Sequence, residues 1–188
     1  MVETDTFLES DQTDFHPTDV IEDADGSLLV VDTGGWFYRG CPTSQFAKPD
    51  VLGAIYRVRR HGMTTHTDPR GNRIDWAKQT HHQLTRLLGD PRFAVRDRAI
   101  AECAQRGPSI AAELRQTIQG RDRRQELGAV WALTRIASLS ALRKESLARE
   151  ANDPVRAAIR LALEDRHPSV RQAACRSLAT YPDPNASE

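Results

Sequence analysis

The chain has 188 residues, of which 39% are hydrophobic and 28% are charged, so it holds enough apolar material for one or two small folded domains. No run of about eighteen apolar residues occurs, and no membrane span is expected. The N-terminus, MVETDTFLESDQTD, is acidic and polar where a signal peptide would be basic and then apolar. As written, the sequence predicts a cytoplasmic protein, with residues 1–14 disordered.

The formal net charge of zero conceals an asymmetry between the two parts of the chain. Residues 1–60 contain eleven Asp and Glu against five Lys and Arg, whereas residues 61–188 contain fifteen acids against twenty-one bases. The two parts are therefore oppositely charged. Surface charges are screened beyond about 8 Å at physiological salt, so this charge asymmetry is only weak support for docking between the two parts of the chain.

Residues 15–60 carry three strand patterns. Thr18–Glu22 is short and β-branched, a turn at Asp25-Gly26 follows, and Ser27–Asp32 is a largely apolar run, which together predict a hairpin. Ala54–Arg59 alternates in the way of a strand with one better-buried face. A lone meander of three or four strands is marginal in water, so this segment is expected to need cover from other β-structure.

The order HPTDVIEDADGSLLVVDTGG, followed by GAIYRV, resembles a blade of propellers of the sorbosone or soluble glucose dehydrogenase type. It is especially similar to the large, membrane-bound-dehydrogenase-like proteins of planctomycete-type bacteria, in which a propeller precedes HEAT-like repeats and a c-type haem domain with CxxCH. The resemblance implies a terminal blade at 15–60 and a periplasmic or extracytoplasmic parent protein. It also implies that the parent uses PQQ, calcium or haem c. The other blades and the CxxCH motif are missing here, so no cofactor is expected in this chain.

The resemblance also singles out individual residues in the blade-like segment. In the resembling propellers, residues entering the innermost strand face the central channel, which makes His16, Thr18 and Asp19 the channel-facing candidates for cofactor binding. The alternative is an ordinary strand entry held by local hydrogen bonds. Asp23 and Asp25 suggest a calcium loop, but a calcium ion needs six to eight oxygens, and turn residues are the simpler interpretation.

After a linker predicted at 61–73, the remaining sequence is helical. The linker, HGMTTHTDPRGNR, collects turn-forming residues without periodicity and is expected to be exposed. Asp90-Pro91 and Asp153-Pro154 each offer an N-cap followed by proline at the first helical position. The pattern predicts a helical region over 74–181, a disordered tail at 182–188, and helices near 76–88, 91–105, 108–119, 122–137, 139–150, 154–164 and 168–180.

The helices repeat with a regular spacing. Val95-Arg96, Gln125-Glu126 and Val155-Arg156 are each 30 residues apart (125 − 95 and 155 − 125), which resembles the shorter bacterial HEAT-like units. Val170-Arg171 follows after only 15 residues (170 − 155), so the last helix is predicted to lack a full partner and to act as a cap or open edge. The predicted fold is mostly α, a HEAT-like α-solenoid preceded by a short β-meander resembling a single terminal propeller blade.

The arginines of these repeats have two interpretations. An arginine-lined solenoid can track a phosphate backbone, which is typical of HEAT-like nucleic-acid-binding proteins. Acids are interleaved with the arginines throughout, so we expect instead that each pairs with the preceding aspartate as a structural ladder between turns. The ladder comprises three such pairs: Asp90 with Arg96, Asp153 with Arg156, and Asp165 with Arg171.

Three cysteines are too few and too scattered for a disulfide framework, and none has haem or zinc spacing. Cys103 and Cys175 lie in alanine-rich helical patterns and are predicted to be small buried residues. Cys41 lies in a loop and is the one thiol expected to be exposed. Trp131 is predicted to fill the core between adjacent repeats, with a ligand-stacking surface as the alternative.

These patterns predict a non-catalytic HEAT-repeat scaffold, the C-terminal part of a larger propeller-containing protein. No G-x-S-x-G motif and no phosphate-binding glycine loop occurs. The expected partner is a protein, either the missing blades or another subunit. Two alternatives stay open: a segment of a quinone- or haem-linked oxidoreductase acting on a sugar-like alcohol or aldehyde, and a nucleic-acid-binding protein.

Overall fold

The computed structural model describes residues 4–12, 14–35, 50–142, 153–183 and 185. Over these residues the chain forms a three-stranded antiparallel sheet followed by six α-helices. It divides into two compact units, residues 1–66 and 67–188, which we call the sheet unit and the helical unit. The predicted mostly helical class is confirmed.

The sheet unit is a meander in which each strand pairs with the next in sequence. Its strands are β1 (Pro17–Glu22), β2 (Leu28–Asp32) and β3 (Ala54–Val58), in the order β1-β2-β3. The β1–β2 turn closes because the Asp23 amide donates to the Ser27 carbonyl over 2.7 Å. Gly26 completes this turn with φ at +80°, a conformation that glycine adopts without steric cost. The three strands fall within one or two residues of the predicted runs.

Burial in the sheet is uneven. Val30 at the centre of β2 is buried, whereas its neighbours Leu29 and Val31 are only half-buried. Phe15 packs edge-on against Tyr56 of β3, with ring centroids 5.8 Å apart. Among the described residues, β2 is therefore only partly covered on the face that carries Leu29 and Val31.

Six α-helices lie within the described residues of the helical unit. Proline occupies the first position of the fifth and sixth, and Thr80 and Gln83 form a reciprocal capping box at the start of the first. Short 3₁₀ turns lie at Trp76–Lys78, Gly107–Ile110 and Ala162–Glu164. The α-helices are α1 (His81–Leu87), α2 (Phe93–Arg106), α3 (Ala111–Ile118), α4 (Arg123–Leu142), α5 (Pro154–Leu161) and α6 (Pro168–Thr180).

The six helices form two layers. α1, α3 and α5 pack against one another in order, α2, α4 and α6 do the same, and each helix also packs on its partner in the other layer. Gly128 allows α4 to approach the end of α1, because a Cβ there would lie 3.0 Å from Leu88 Cβ. The core between the layers is continuous and includes Leu84, Val95, Leu114, Leu133, Ile159 and Val170.

This layering corrects the predicted 30-residue period. Val95 and Gln125 lie on α2 and α4 of the same layer, but Val155 lies on α5 of the other layer. The 15-residue interval to Val170 is the step from α5 to its partner α6. The prediction that the last helix lacks a full partner is wrong, because α6 packs on both α5 and α4.

One predicted helix differs from the structure. The sequence pattern predicted a break after residue 137 and a new helix at 139–150. In the structure α4 continues without interruption to Leu142, since no glycine or proline occurs there. The rest of that predicted helix, residues 143–150, lies outside the described residues.

The second half of the predicted linker is built into the helical unit. Asp68 adopts φ +56°, and its carboxylate accepts the amides of Asn72 and Arg73 at 2.7 and 2.9 Å. Gly71 is buried, and its carbonyl accepts the indole N–H of Trp76 at 3.0 Å. Residues 67–73 therefore form an ordered loop where the sequence predicted an exposed connection.

Part of the predicted disordered tail, including Asp183 and Asn185, is ordered. Asp183 is buried and forms an ion pair with Arg160 of α5. Its carboxylate also accepts the amide of Asn185 at 3.0 Å. Residues 184 and 186–188 lie outside the described part of the chain. None of the helices described by the structure is long and apolar enough to cross a membrane.

Candidate functional site

Exposed large apolar side chains concentrate in the sheet unit. Eight such side chains are exposed among the described residues, and seven of them belong to residues 1–66. The helical unit contributes only Leu142 to this described set, so the sheet unit is the part of the molecule with uncovered apolar surface. The seven are Phe7, Leu8, Val20, Ile21, Leu52, Ile55 and Tyr56.

Strand register places several of these residues on one face. Ile21 is opposite Leu29, and Leu29 is opposite Arg57; in the next row Asp19, Val31 and Ile55 are opposite one another. Directly opposed residues share a face, so four aliphatic side chains lie together, bordered by one acid and one arginine. Ile21 is 53% and Ile55 69% exposed. We call Ile21, Leu29, Val31 and Ile55 the aliphatic face.

The charged groups beside this face are held by one another. Arg57 Nη1 lies 2.7 Å from Asp23 Oδ2 and 3.3 Å from Asp25 Oδ1. Hydrogen bonds from the Ser27 hydroxyl and amide, together with the positive charges of Arg57 and Arg59, lower the pKa of Asp25. These acids therefore act as partners for serine and arginine donors at the turn.

The channel-facing candidates His16, Thr18 and Asp19 are all exposed and lie at the entry to β1. The Thr18 hydroxyl donates to the Val31 carbonyl at 3.3 Å, and Asp19 Oδ1 accepts the Val20 amide at 2.8 Å. These contacts are local hydrogen bonds that hold a strand entry. They leave the proposed channel role of the three residues a prediction.

Asp32 organises this entry and was missed by the sequence analysis. It is buried, and its Oδ1 accepts the amides of His16 at 3.0 Å and Gly34 at 2.9 Å. These two hydrogen bonds, led by that from Gly34, lower the pKa of Asp32. A signal was present in the sequence, because an aspartate that ends a strand two residues before glycine is a common turn anchor.

Two of the three predicted ladder arginines share one geometry. Arg96 Nη1 donates to the carbonyls of Asp90 and Pro91 at 2.7 and 3.0 Å. Arg171 Nη1 donates in the same way to the carbonyls of Asp165 and Arg166 at 2.8 and 3.2 Å. These bonds reach main-chain oxygens, whereas the sequence analysis expected carboxylates.

The aspartates of these two positions have a separate role. Asp90 Oδ1 accepts the amide of Arg92 at 2.9 Å, and Asp165 Oδ1 accepts the amide of His167 at 2.7 Å. The aspartate thus accepts a main-chain amide of the loop before the helix, and the arginine donates to main-chain carbonyls of the same loop. The contacts lie within one helix entry, not between successive turns.

Asp153 and Arg156 form a different arrangement. Asp153 Oδ1 accepts the amide of Val155 at 2.9 Å, and Arg156 Nε lies 3.8 Å from Asp153 Oδ2. Arginine here follows aspartate by three residues, compared with six at the other two positions. Burial raises the pKa of Asp153 despite the hydrogen bond to Val155.

Among the residues that the structure describes, no group of three or more His, Cys, Asp and Glu is placed to hold a metal ion. A scan against protein-family models and searches of curated proteins and solved structures give no match to this chain.

A buried carboxyl group on α4 was not anticipated from the sequence. Glu126 is 1% exposed; its Oε1 accepts a hydrogen bond from Arg166 Nη2 at 3.0 Å, and its Oε2 has no hydrogen-bond partner. Burial raises the pKa of Glu126, and the nearby carboxylate of Asp165 raises it further, against the charge of Arg166. The signal was its spacing: Glu126 lies four and seven residues before Val130 and Leu133, on the buried stripe of α4.

The structure corrects two further predictions. Cys175, expected to be buried, is exposed on α6, whereas Cys103 is buried and its thiol pKa is raised to about 12 by burial. Trp131 is only half-buried at the edge of the core, and Trp76 is the more deeply buried indole, at 5% exposure. Cys41 lies outside the described residues.

Proposed function

We propose that this chain is a non-catalytic protein-interaction scaffold, in which HEAT-like helical repeats carry a blade-like sheet that binds β-structure of a larger propeller-containing protein. The observation that carries the proposal is the concentration of exposed apolar side chains in the sheet unit. Isolated soluble proteins seldom leave such patches uncovered, and a contiguous apolar patch marks an interaction surface.

The aliphatic face supports a protein partner over a small-molecule ligand. It is a flat set of alternating side chains on three strands, which suits packing against another sheet about 10 Å away. Its bordering charges, Asp19 and Arg57, give the contact a polar rim. A small ligand would require a concave site with convergent polar groups.

The two layers of helices support the scaffold role. Helix pairs α1–α2, α3–α4 and α5–α6 stack so that each pair contacts mainly the next one, which is the arrangement expected of repeat proteins. Arg96 and Arg171 are engaged by main-chain carbonyls at helix entries. Their use as structural donors favours a scaffold over an arginine surface that tracks nucleic-acid phosphates.

The proposal is tested by the native complex. Antiserum raised against residues 74–188 is used on native gels of a source lysate, and the band is identified by mass spectrometry. We expect a species well above the mass of the lone chain, containing propeller-type β-structure in the same polypeptide or in a bound one. A lone monomer of this chain's mass, with slow amide exchange in β1 and β3, would contradict the proposal.

Variants identify the surface. Where the propeller-type β-structure belongs to a bound polypeptide, replacing Ile21 and Ile55 by serine should release the chain from that complex, because both side chains lie on the aliphatic face. Leu142→Ser is the matched control, since Leu142 is 77% exposed but lies in the helical unit. Equal release by both changes would exclude the aliphatic face as the binding surface.

A further inference from the structure

We propose that the outer edge of β3 pairs through its main chain with an extended strand of the propeller-type partner. This contact rests on the proposed function, because its occupant is part of the β-structure that the aliphatic face would bind. The aliphatic face covers side chains, whereas the edge of β3 offers main-chain donors and acceptors.

The register of the sheet shows which way the main chain of β2 points. The Asp23 amide donates to the Ser27 carbonyl at 2.7 Å, and this pair continues the register that places Ile21 opposite Leu29. In an antiparallel ladder, residues whose N–H and C=O groups bond to the neighbouring strand alternate with residues whose groups point away. The odd-numbered residues of β2 therefore bond to β1, and its even-numbered residues face β3.

The same alternation identifies the free groups of β3. Val30 of β2 is opposite Tyr56, so the main-chain groups of Tyr56 are used within the sheet. Ile55 and Arg57, on either side of Tyr56, direct their N–H and C=O groups away from β2. No described residue accepts a hydrogen bond from either amide. Two outward residues separated by one inward residue match the repeat of another extended strand.

The opposite edge of the sheet, formed by β1, is protected. Pro17 at its start has no amide, and the register is irregular between Pro17 and Asp19. The Val20 amide points outward by the same alternation, and Asp19 Oδ1 already accepts it at 2.8 Å. Proline, charged side chains and irregular register are features with which proteins prevent pairing at an edge.

β3 has none of these protective features. Its sequence, AIYRV, contains no proline, glycine or acid, and all of its residues pair with β2 in continuous register. Ile55 is 69% exposed, and Leu52, just before the strand, is 81% exposed. An exposed apolar edge of this kind is a template for the addition of another strand.

The side chains along the edge favour an uncharged, β-branched strand. A residue of the incoming strand beside Ile55 would lie on the aliphatic face and extend it by one strand. Arg57 does not call for an acid there, because Asp23 and Asp25 already hold its guanidinium at 2.7 and 3.3 Å. Pairing along the whole of β3 spans about 17 Å, so a short segment is sufficient.

The test uses the full chain alone and a peptide of about eight residues, valine alternating with threonine and lysine at each end. The control peptide is N-methylated at every amide of the alternating part, which keeps the side chains but removes the main-chain donors. Amide exchange is followed by NMR. We expect the first peptide, at about millimolar concentration, to slow exchange of the Ile55 and Arg57 amides about tenfold or more, and to leave the Val20 amide unchanged.

Two variants separate the edge from the face. Ile55→Pro removes the outward N–H and leaves the bonds of Tyr56 to β2, since proline is tolerated on an edge strand. Ile55→Ala is the matched control, because it removes most of the side chain but keeps the N–H. Slowing at the Arg57 amide should be lost in the proline variant and kept in the alanine variant. Slow exchange of the Val30 amide confirms that β2 and β3 remain paired in both.

Four results would overturn the edge pairing. They are no slowing by the first peptide, equal slowing by the N-methylated peptide, equal loss in the two variants, and concentration-dependent slow exchange at Ile55 without peptide. The second and third would assign binding to the aliphatic face, and the last would assign the edge to a second copy of the chain. The proposed function is tested on the native complex, so it would stand after the second and third results.

Discussion

Replacing Trp76 by alanine should destabilise the helical unit by about 5 kcal/mol. Emptying the site of a buried tryptophan costs about 3–5 kcal/mol, and the hydrogen bond from its indole to the Gly71 carbonyl adds about 1. The guanidinium of Arg98 lies 4.7 Å from the ring centroid and contributes less, because it is half-exposed. Domains of this size unfold with about 5–15 kcal/mol, so the variant should be close to its stability limit.

The assay is urea unfolding followed by circular dichroism at a helical wavelength, which reports mainly on the helical unit. Trp131→Ala is the control, because Trp131 is only half-buried, and should cost about 2 kcal/mol. Trp76→Phe keeps a ring but removes the donor to Gly71, and should cost about 1–2 kcal/mol. A loss below about 1.5 kcal/mol for Trp76→Ala, or one equal to that of Trp131→Ala, would refute the conclusion that residues 67–78 belong to the helical unit.

Three further predictions concern single side chains. Burial raises the pKa of Glu126 above its ordinary 4.5, so the native state favours the neutral carboxyl group. The neutral group's contribution to the free energy of unfolding is lost as pH rises through the raised pKa. Glu126→Gln should therefore gain stability relative to wild type between about pH 4 and about pH 7 in urea melts, and parallel curves would contradict this. With the third cysteine replaced by serine, Cys175 should react rapidly with a thiol reagent and Cys103 only after unfolding, and two fast thiols in the native chain would be inconsistent with the structure. Arg171→Met should cost about 1–3 kcal/mol through the lost bonds to the carbonyls of Asp165 and the next residue. Arg171→Lys should restore only part of the lost stability, since a single ammonium group replaces the forked guanidinium donor. Full restoration would show that the positive charge alone stabilises this helix entry.

Helix entries marked by proline were predicted correctly at two positions and wrongly at one. The predicted entry at Asp90-Pro91 is wrong, because α2 begins at Phe93 with Arg92 as its N-cap. Pro154 and Pro168 begin α5 and α6 because proline has no amide to leave unpaired and its φ is already helical. These two entries depend on residues adjacent in sequence, so the sequence alone was sufficient to find them. The capping box of Thr80 and Gln83 at the start of α1 was not predicted, because the helix was expected to begin near residue 76.

Layer assignment could not be predicted in the same way. A Val-Arg pair opens α2 and also α5, yet these helices lie in different layers. The pattern records only that a helix starts with one buried and one polar side chain, and both layers satisfy this requirement. The exposure of Cys175 has a similar origin, because small residues around α6 leave its buried stripe poorly marked.

The exposure of the aliphatic face could not be predicted from the sequence either. The alternation of β1 and β3 predicted strands correctly, but a strand pattern is the same whether its apolar side is covered by the chain itself or by another molecule. Only the register, which aligns Ile21 with Leu29 and Asp19 with Ile55, shows that these side chains form one surface. The structure then gives the exposed fraction of each side chain on this surface.

The contact between Arg160 and Asp183 has a consequence for any shortened version of this protein. Burial is the main cause of the raised pKa of Asp153 at the start of α5, and the charge of Asp183 is the smallest contribution to it. Cutting the chain after Thr180, where α6 ends, would leave the Arg160 guanidinium without its buried counter-charge and would ease ionisation of Asp153 at the same time. An expression boundary drawn at the end of the last helix would thus alter the electrostatics at the start of α5, and a boundary beyond Asn185 would preserve them.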